Sequence, residues 1–205
     1  MKVLFCVPGE QFSDQFLKSW TLTINMLHRE GIEYALASEV GSEITGLRNR
    51  VAGGMSERGE FQKPHPEQEY DCQFWVDSDM IWTPLDVLAL LESPHDIIAG
   101  LYADGKGEVV AFAERNERLK YGQGVVPCYA VGFGFVRLKR EVLEKLPYPW
   151  FRISPSEEGG HDSEDISFCR LAREHGYEIM ADTDVLLGHQ KTMIVRPEGM
   201  YSPYV

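Results

Sequence analysis

Two carboxylates set two residues apart, Asp77 and Asp79, follow the apolar run Phe74-Trp75-Val76 directly. A buried strand that ends on two acids needs a counter-charge at its edge, because unpaired charge beside an apolar core is costly. A divalent cation is the natural partner. Both acids could reach one ion where the strand's alternation breaks down at its carboxyl end, and that end is where ligands bind in open α/β sheets. Two later residues could join them. Asp165 falls on the inner side of a helix start, with Glu164 displaced by about a quarter turn, and His189 follows a late strand. Carboxylate oxygens with one imidazole and no thiolate suit manganese or magnesium better than zinc.

Three further residues have types that could serve a site. Arg48 falls close to the apolar face of its helix, whereas Asn49 and Arg50 point away. An inward arginine is usually paired, so Arg48 is expected to meet a neighbouring acid, one of the strand-end aspartates, or a ligand phosphate. Gly132 and Gly134 alternate along Ala130–Val136, which reads as a strand. Their missing side chains lie on one face, which packing alone or the close approach of a backbone or ligand would explain.

The elements that must position these residues follow from periodicity and punctuation. Lys2–Val7 is a β-branched apolar strand closed by Pro8-Gly9. Ser13 caps a helix with Phe16, Trp20, Ile24 and Leu27 at helical spacing until Gly31, and Ile32–Ser38 is the next strand, giving a βαβ unit. Ser42 is placed to cap a helix with Ile44, Leu47 and Val51 inward. Met55–Tyr70 reads as a surface loop. Beyond the acid-bearing strand, Thr83-Pro84-Leu85-Asp86 starts a helix, and Asp96–Leu101 is a strand expected beside the acid-bearing one. Tyr102–Tyr129 reads as hairpin-like additions, Arg137–Leu146 as a short helix, and Tyr148–Asp162 as a loop of a mixture that serves as a lid or acceptor surface in some proteins and as a plain connection in most. Ser163 caps the helix that carries Asp165, with Phe168, Cys169 and Ala172 inward. Two short strands, Tyr177–Ala181 and Val185–Gly188, precede a tail that wraps the surface.

The 205 residues suit one domain, 43% hydrophobic and 25% charged, so neither disorder nor a fibrous repeat is indicated. A formal net charge of −12 argues against nucleic acid or anionic membrane as a partner. No run reaches the roughly 20 apolar residues of a membrane span, and the amino terminus reads as a strand rather than a leader, so a cytoplasmic location is expected. Cys6, Cys72, Cys128 and Cys169 are scattered in apolar contexts and read as buried free thiols. Oligomeric state is not legible.

Taken in order, an apolar strand with Asp77-Ser78-Asp79, a glycine-rich strand, Ser163-Glu164-Asp165 at a helix start and a late Gly188-His189 resemble the GT-A glycosyltransferases, in particular family 2-like members of bacteria and their viruses. The resemblance runs from Lys2 to about Lys191. It implies an α/β, Rossmann-like domain with a mixed, mainly parallel sheet: a nucleotide-binding part over about 1–101, an acceptor and catalytic part over about 102–191, and a tail over 192–205. It further implies Asp79 and His189 as metal ligands, with Asp77 shared between metal and nucleotide-sugar and Ser78 on the donor side. Gly132 and Gly134 would lie near the donor sugar. In the catalytic pair Glu164 and Asp165, Asp165 would be the base of an inverting transfer. Pro8-Gly9 and Ser38-Glu39 occupy the places where such enzymes hold the nucleoside, and Arg48 could add positive charge near the diphosphate. The implied reaction moves a sugar from a UDP- or GDP-sugar to a hydroxyl of a glycan or other acceptor, with Mn2+ or Mg2+.

Other readings remain at this point. A retaining enzyme would use Asp165 as a sugar or acceptor contact, and a non-catalytic nucleotide-sugar or glycan-binding protein would keep the fold without turnover. A phosphatase of the haloacid dehalogenase type places its Asp-x-Asp on the first strand, whereas two units precede it here. A nucleotidyltransferase would want a basic, glycine-rich loop where Pro8-Gly9-Glu10-Gln11-Phe12 stands.

Overall fold

In a computed structural model, which describes residues 1–156, 159–192, 194–196 and 199–201, the chain builds one seven-stranded sheet. Its strands are β1 (Lys2–Cys6), β2 (Glu33–Ala37), β3 (Cys72–Val76), β4 (Ile97–Leu101), β5 (Val125–Cys128), β6 (Phe135–Lys139) and β7 (Ile179–Leu186). Their order across the sheet is β2-β1-β3-β6-β4-β7-β5. Pairing is parallel for β1 with β2 and β3 and for β4 with β7, whereas β6 runs antiparallel to β3 and β4, and β5 antiparallel to β7. Five of the seven strands therefore run in one direction, with only β5 and β6 reversed, which makes the sheet mixed and mainly parallel.

Helices α1 (Asp14–Arg29) and α3 (Pro84–Glu92) cover one face. Helices α2 (Ile44–Val51), α4 (Arg140–Lys145) and α5 (Glu164–Glu174) cover the other. Strand alternation sorts the core accordingly. Val3, Phe5, Phe74 and Val76 pack with Phe16, Leu27, Val87 and Leu90, while Leu4, Cys6 and Trp75 pack with Leu47, Val51, Val142 and Phe168. Burial on both faces explains why β1 and β3 read as continuous apolar runs. All four cysteines are buried free thiols, and burial pushes Cys128 and Cys169 up to about 12. Among the described residues no helix is long and apolar enough to cross a membrane.

Several local expectations are corrected. Helix α2 is capped by Glu43 rather than Ser42, its carboxylate accepting from the Thr45 and Gly46 amides, since the longer side chain still reaches the first turn. Asn49 points inward, donating from Nδ2 to the Phe151 carbonyl at 2.7 Å, and so clamps α2 to the segment before α5. Met55–Tyr70 contains a short 3-10 turn, Ser56–Arg58, and a buried Gln62 that bonds Met55 and Gly59. Strand β4 does not lie beside β3, because β6 inserts between them. Ala130–Val136 is not one strand: Ala130–Val131 pairs with Ala111–Phe112, and β6 begins only at Phe135. Arg137 belongs to β6, not to a helix, and its guanidinium satisfies the Leu90, Ser93 and His95 carbonyls where α3 ends. The two late strands merge into β7, with an irregularity between Asp182 and Leu186. Within the tail, Ile194–Arg196 pairs antiparallel with Gly199–Tyr201; the surface-wrapping expectation for residues 193, 197, 198 and 202–205 lies outside the described residues.

Candidate active site

Strand β3 ends in a tight turn in which the Met80 amide donates to the Asp77 carbonyl at 3.1 Å. The Asp77 amide donates to the Gly134 carbonyl at 3.0 Å, which ties the turn to the glycine segment. The turn sends its two carboxylates to different partners. Asp77 takes a two-pronged pair of hydrogen bonds from Arg48, Nη1 and Nη2 each at 3.0 Å. This planar fork is the geometry that arginine, unlike lysine, supplies.

Arg48 is the hub of the buried side of the site. Only 3% exposed, it lies beside the Trp75 and Phe133 rings at 5.8 and 5.6 Å. Its Nε reaches Glu164 at 3.4 Å and Asp165 at 3.6 Å. Burial works against its charge, but Asp77, Asp165 and Glu164 more than restore it and raise its pKa. The expectation of an acid partner is met by all three at once. A phosphate would have to displace Asp77 to take both prongs of the fork.

Asp165 stands in the first turn of α5, whose cap Ser163 accepts from the Ile166 amide. Oδ2 accepts from the Phe133 amide at 3.1 Å, whereas Oδ1 is buried and finds no hydrogen-bond donor among the described residues. Burial is the main cause of a pKa raised to about 7. Glu164 and Asp77 add to it, and Arg48 and the Phe133 amide pull the other way. The aromatic floor beneath consists of Trp75, Phe133, Phe151 and Phe168, packed mostly edge to face.

Asp79 belongs to the open side. The two-residue strands Met80–Ile81 and Gly188–His189 pair antiparallel, which brings His189 Nε2 to 3.0 Å from Asp79 Oδ2. Lys191 Nζ donates to the same oxygen at 2.9 Å. Although partial burial raises the Asp79 pKa, these two hydrogen bonds dominate and hold it down at about 2, so the carboxylate is charged at any working pH. His189 Nδ1 faces the Ala103 carbonyl at 2.7 Å, so both ring nitrogens face oxygens. With Nδ1 protonated toward the carbonyl, the Nε2 side needs a cation between it and Asp79, either a second proton or a metal ion. This donor set fits a hard divalent cation with one imidazole and one carboxylate. Among the described residues no group of three or more His, Cys, Asp or Glu side chains is placed to share an ion, so Asp77 stands with Arg48 rather than with Asp79 and His189.

Tyr102 joins the two sides. Its hydroxyl accepts from the Gly134 amide at 3.1 Å, and its ring stands edge-on to His189 at 5.0 Å. A Cβ on Gly134 would lie 2.8 Å from the Tyr102 ring, and one on Gly132 would collide with the tyrosine oxygen. The space expected beside the two glycines is therefore filled by a side chain of this chain. Burial, followed by Asp165 and Asp77, pushes the phenol well above its ordinary value.

Pro8, Gly9 and Glu39, the residues expected to hold a nucleoside, lie at the same end of the sheet. Gly9, at φ 135°, has the Ser78 hydroxyl against its Cα face, where a Cβ would meet Oγ at 2.6 Å, and its amide donates to the Glu39 carbonyl at 3.2 Å. Pro8 is buried and Glu39 exposed. A cleft of about 380 Å³ opens beside them, lined by Phe12, Ser13, Ser78, Asp79 and Lys191 among others. All the sequence-derived site residues thus cluster at the carboxyl ends of β1, β2 and β3 and the elements facing them. Tyr102, Lys191 and the Phe133 amide were not anticipated. The paired glycines signalled an occupant without naming it, which was the clue to Tyr102, and the place of Lys191 two residues past His189 was the available clue to that lysine.

No family model and no curated protein matches the sequence. Solved structures match the fold. The crystal structure of A197 from STIV aligns over 98% of this chain and 94% of its own, with a TM-score of 0.59 at 20% identity. A mutant of Drosophila β1,4-galactosyltransferase 7, in complex with manganese, UDP-Gal and xylobiose, aligns over 93% of this chain and 71% of its own, with a TM-score of 0.54 at 15% identity. The inositol-1-phosphate CTP transferase of T. maritima aligns over 92% and 88% at a TM-score of 0.46 and 12% identity. The fold is accordingly the mixed α/β sheet of GT-A glycosyltransferases.

Proposed function

We propose that this chain is a metal-dependent glycosyltransferase that moves a sugar from a nucleoside diphosphate to an acceptor hydroxyl with inversion at the anomeric carbon. The observation that carries the reading is the division of labour across one turn. Asp79, kept charged and facing His189, borders an open cleft, while Asp77 leads through one arginine to Asp165, whose buried Oδ1 has no hydrogen-bond donor among the described residues.

A divalent ion held by Asp79 and His189 would neutralise charge on the departing diphosphate. The Asp165 carboxylate takes the acceptor proton as the acceptor oxygen bonds the anomeric carbon and the bond from that carbon to the diphosphate breaks. Arg48 orients Asp165 and Glu164 relative to Asp77, Tyr102 positions His189, and Ser78 with the Pro8-Gly9 and Glu39 region flanks the nucleoside. A neighbour of similar fold was crystallised with manganese and UDP-Gal, which makes UDP the first donor base to test.

A thermal-shift screen of UDP-, GDP- and CDP-sugars with manganese tests the donor, since a ligand of the folded state raises stability by mass action. One base should give a shift of several degrees that EDTA removes; silence across the panel would sink the reading. Asp165→Asn should then lower turnover by about 10²–10⁴-fold while leaving donor affinity nearly intact, and near-normal turnover would remove Asp165 as the base.

A further inference from the structure

The ammonium of Lys191 lies on the very oxygen that His189 faces, with Nζ 2.9 Å and Nε2 3.0 Å from Asp79 Oδ2. Holding the chain in place does not require this contact. The Gln190 amide already donates to the Asp79 carbonyl at 2.8 Å, and the Asp79 side chain is 42% exposed, where an ion pair adds little to stability. Lys191 also lines the 380 Å³ cleft beside Ser78 and Phe12, so its side chain has room to turn away from Asp79 into that space.

We propose that Lys191 is a resident counter-ion: it occupies the ligating oxygen of Asp79 while the site is empty, and moves into the cleft onto a diphosphate when a divalent cation takes that oxygen. The proposal rests on the glycosyltransferase reading and adds how metal and donor depend on each other. The physical argument is charge balance. One carboxylate facing a dication and an ammonium leaves a surplus of two positive charges, so with metal alone Lys191 is repelled and has no anion to meet. A diphosphate supplies the missing negative charge. Lys191 thereby opposes metal binding in the absence of diphosphate and favours it in its presence, a coupling that must be reciprocal.

The two directions give a test that a merely structural lysine would fail. Mn2+ binding to the 205-residue chain is measured by equilibrium dialysis, and binding of Mn2+-pyrophosphate by calorimetry, for the wild type, Lys191→Met and Lys191→Arg. Lys191→Met should bind Mn2+ alone about tenfold more tightly and Mn2+-pyrophosphate about tenfold more weakly, whereas Lys191→Arg should stay near wild type. Shifts in the same direction, or none, overturn the proposal, as does failure of the wild type to bind Mn2+ with pyrophosphate present. Opposed shifts without a response to any sugar nucleotide would keep the counter-ion role and remove the donor reading.

Discussion

Asp165 stands under two opposed influences. A helix amino terminus favours its charged form, and a buried position favours the neutral one. Burial wins, which puts its pKa at about 7. As a base it works only when ionised, so log kcat/KM should rise with a slope near one through that region and level off above it, a profile that Asp165→Asn cannot show. The same shift has a cost in stability. A folded pKa above the unfolded value of about 3.9 means that stabilisation present below pH 4 is lost as pH rises through 7. Asp165→Asn should therefore gain about 1–3 kcal/mol over the wild type at pH 8 and little at pH 4, measured by urea melts at both. Arg48 should behave oppositely. Replacement by Met leaves Asp77, Glu164 and Asp165 without their common cation, and a loss of about 3–5 kcal/mol in the same melts is expected. Sequence made Arg48 legible as an inward arginine but left its partner open, because Glu164 and Asp165 lie more than a hundred residues away and no local pattern encodes that meeting.

At the scale of elements, the segment between Val131 and Phe135 links the acids to the imidazole. Its carbonyl at Gly134 takes the Asp77 amide, its amide at Phe133 holds Asp165, and its two glycines admit the Tyr102 ring that stands against His189. Gly132→Ala drives a methyl into the Tyr102 hydroxyl. It should cost about 1–3 kcal/mol and weaken Mn2+ binding by moving His189, whereas Tyr102→Phe, which only removes the bond to the Gly134 amide, should cost about 1 kcal/mol. Comparing both variants by urea melts and Mn2+ titration checks the order; a milder effect for Gly132→Ala would show that the tyrosine yields freely. Local signals read this level well where the physics is local. Ser13, Thr83 and Ser163 cap the helices assigned to them. They failed where a tertiary contact decides. Asn49 looked solvent-facing on a wheel yet is drawn in by Phe151, and Arg137 looked helical yet serves carbonyls at the end of α3.

The strand order β2-β1-β3-β6-β4-β7-β5 decides how the whole molecule behaves. The run of parallel units was legible from alternating apolar segments. The insertion of β6 was not, because it depends on pairing between residues about sixty positions apart, such as Val136 with Trp75, rather than on any neighbouring residue. A division near residue 101, expected from the ligand that each part would face, does not mark a folding unit. β4 has no hydrogen-bonded sheet neighbour from residues 1–101: both of its partners, β6 and β7, come from the later part. β3 would likewise expose the edge that β6 covers, together with the Trp75 and Phe74 backbone just before the acids. A fragment of residues 1–101 should therefore show no cooperative melt and should associate through that edge. The full chain should unfold in one step, with circular dichroism and tryptophan fluorescence coinciding along a urea gradient. Two separated transitions, or a fragment that melts sharply on its own, would mean that the donor-side strands are stable without β6, and that the turn carrying Asp77 and Asp79 is set before its partners arrive.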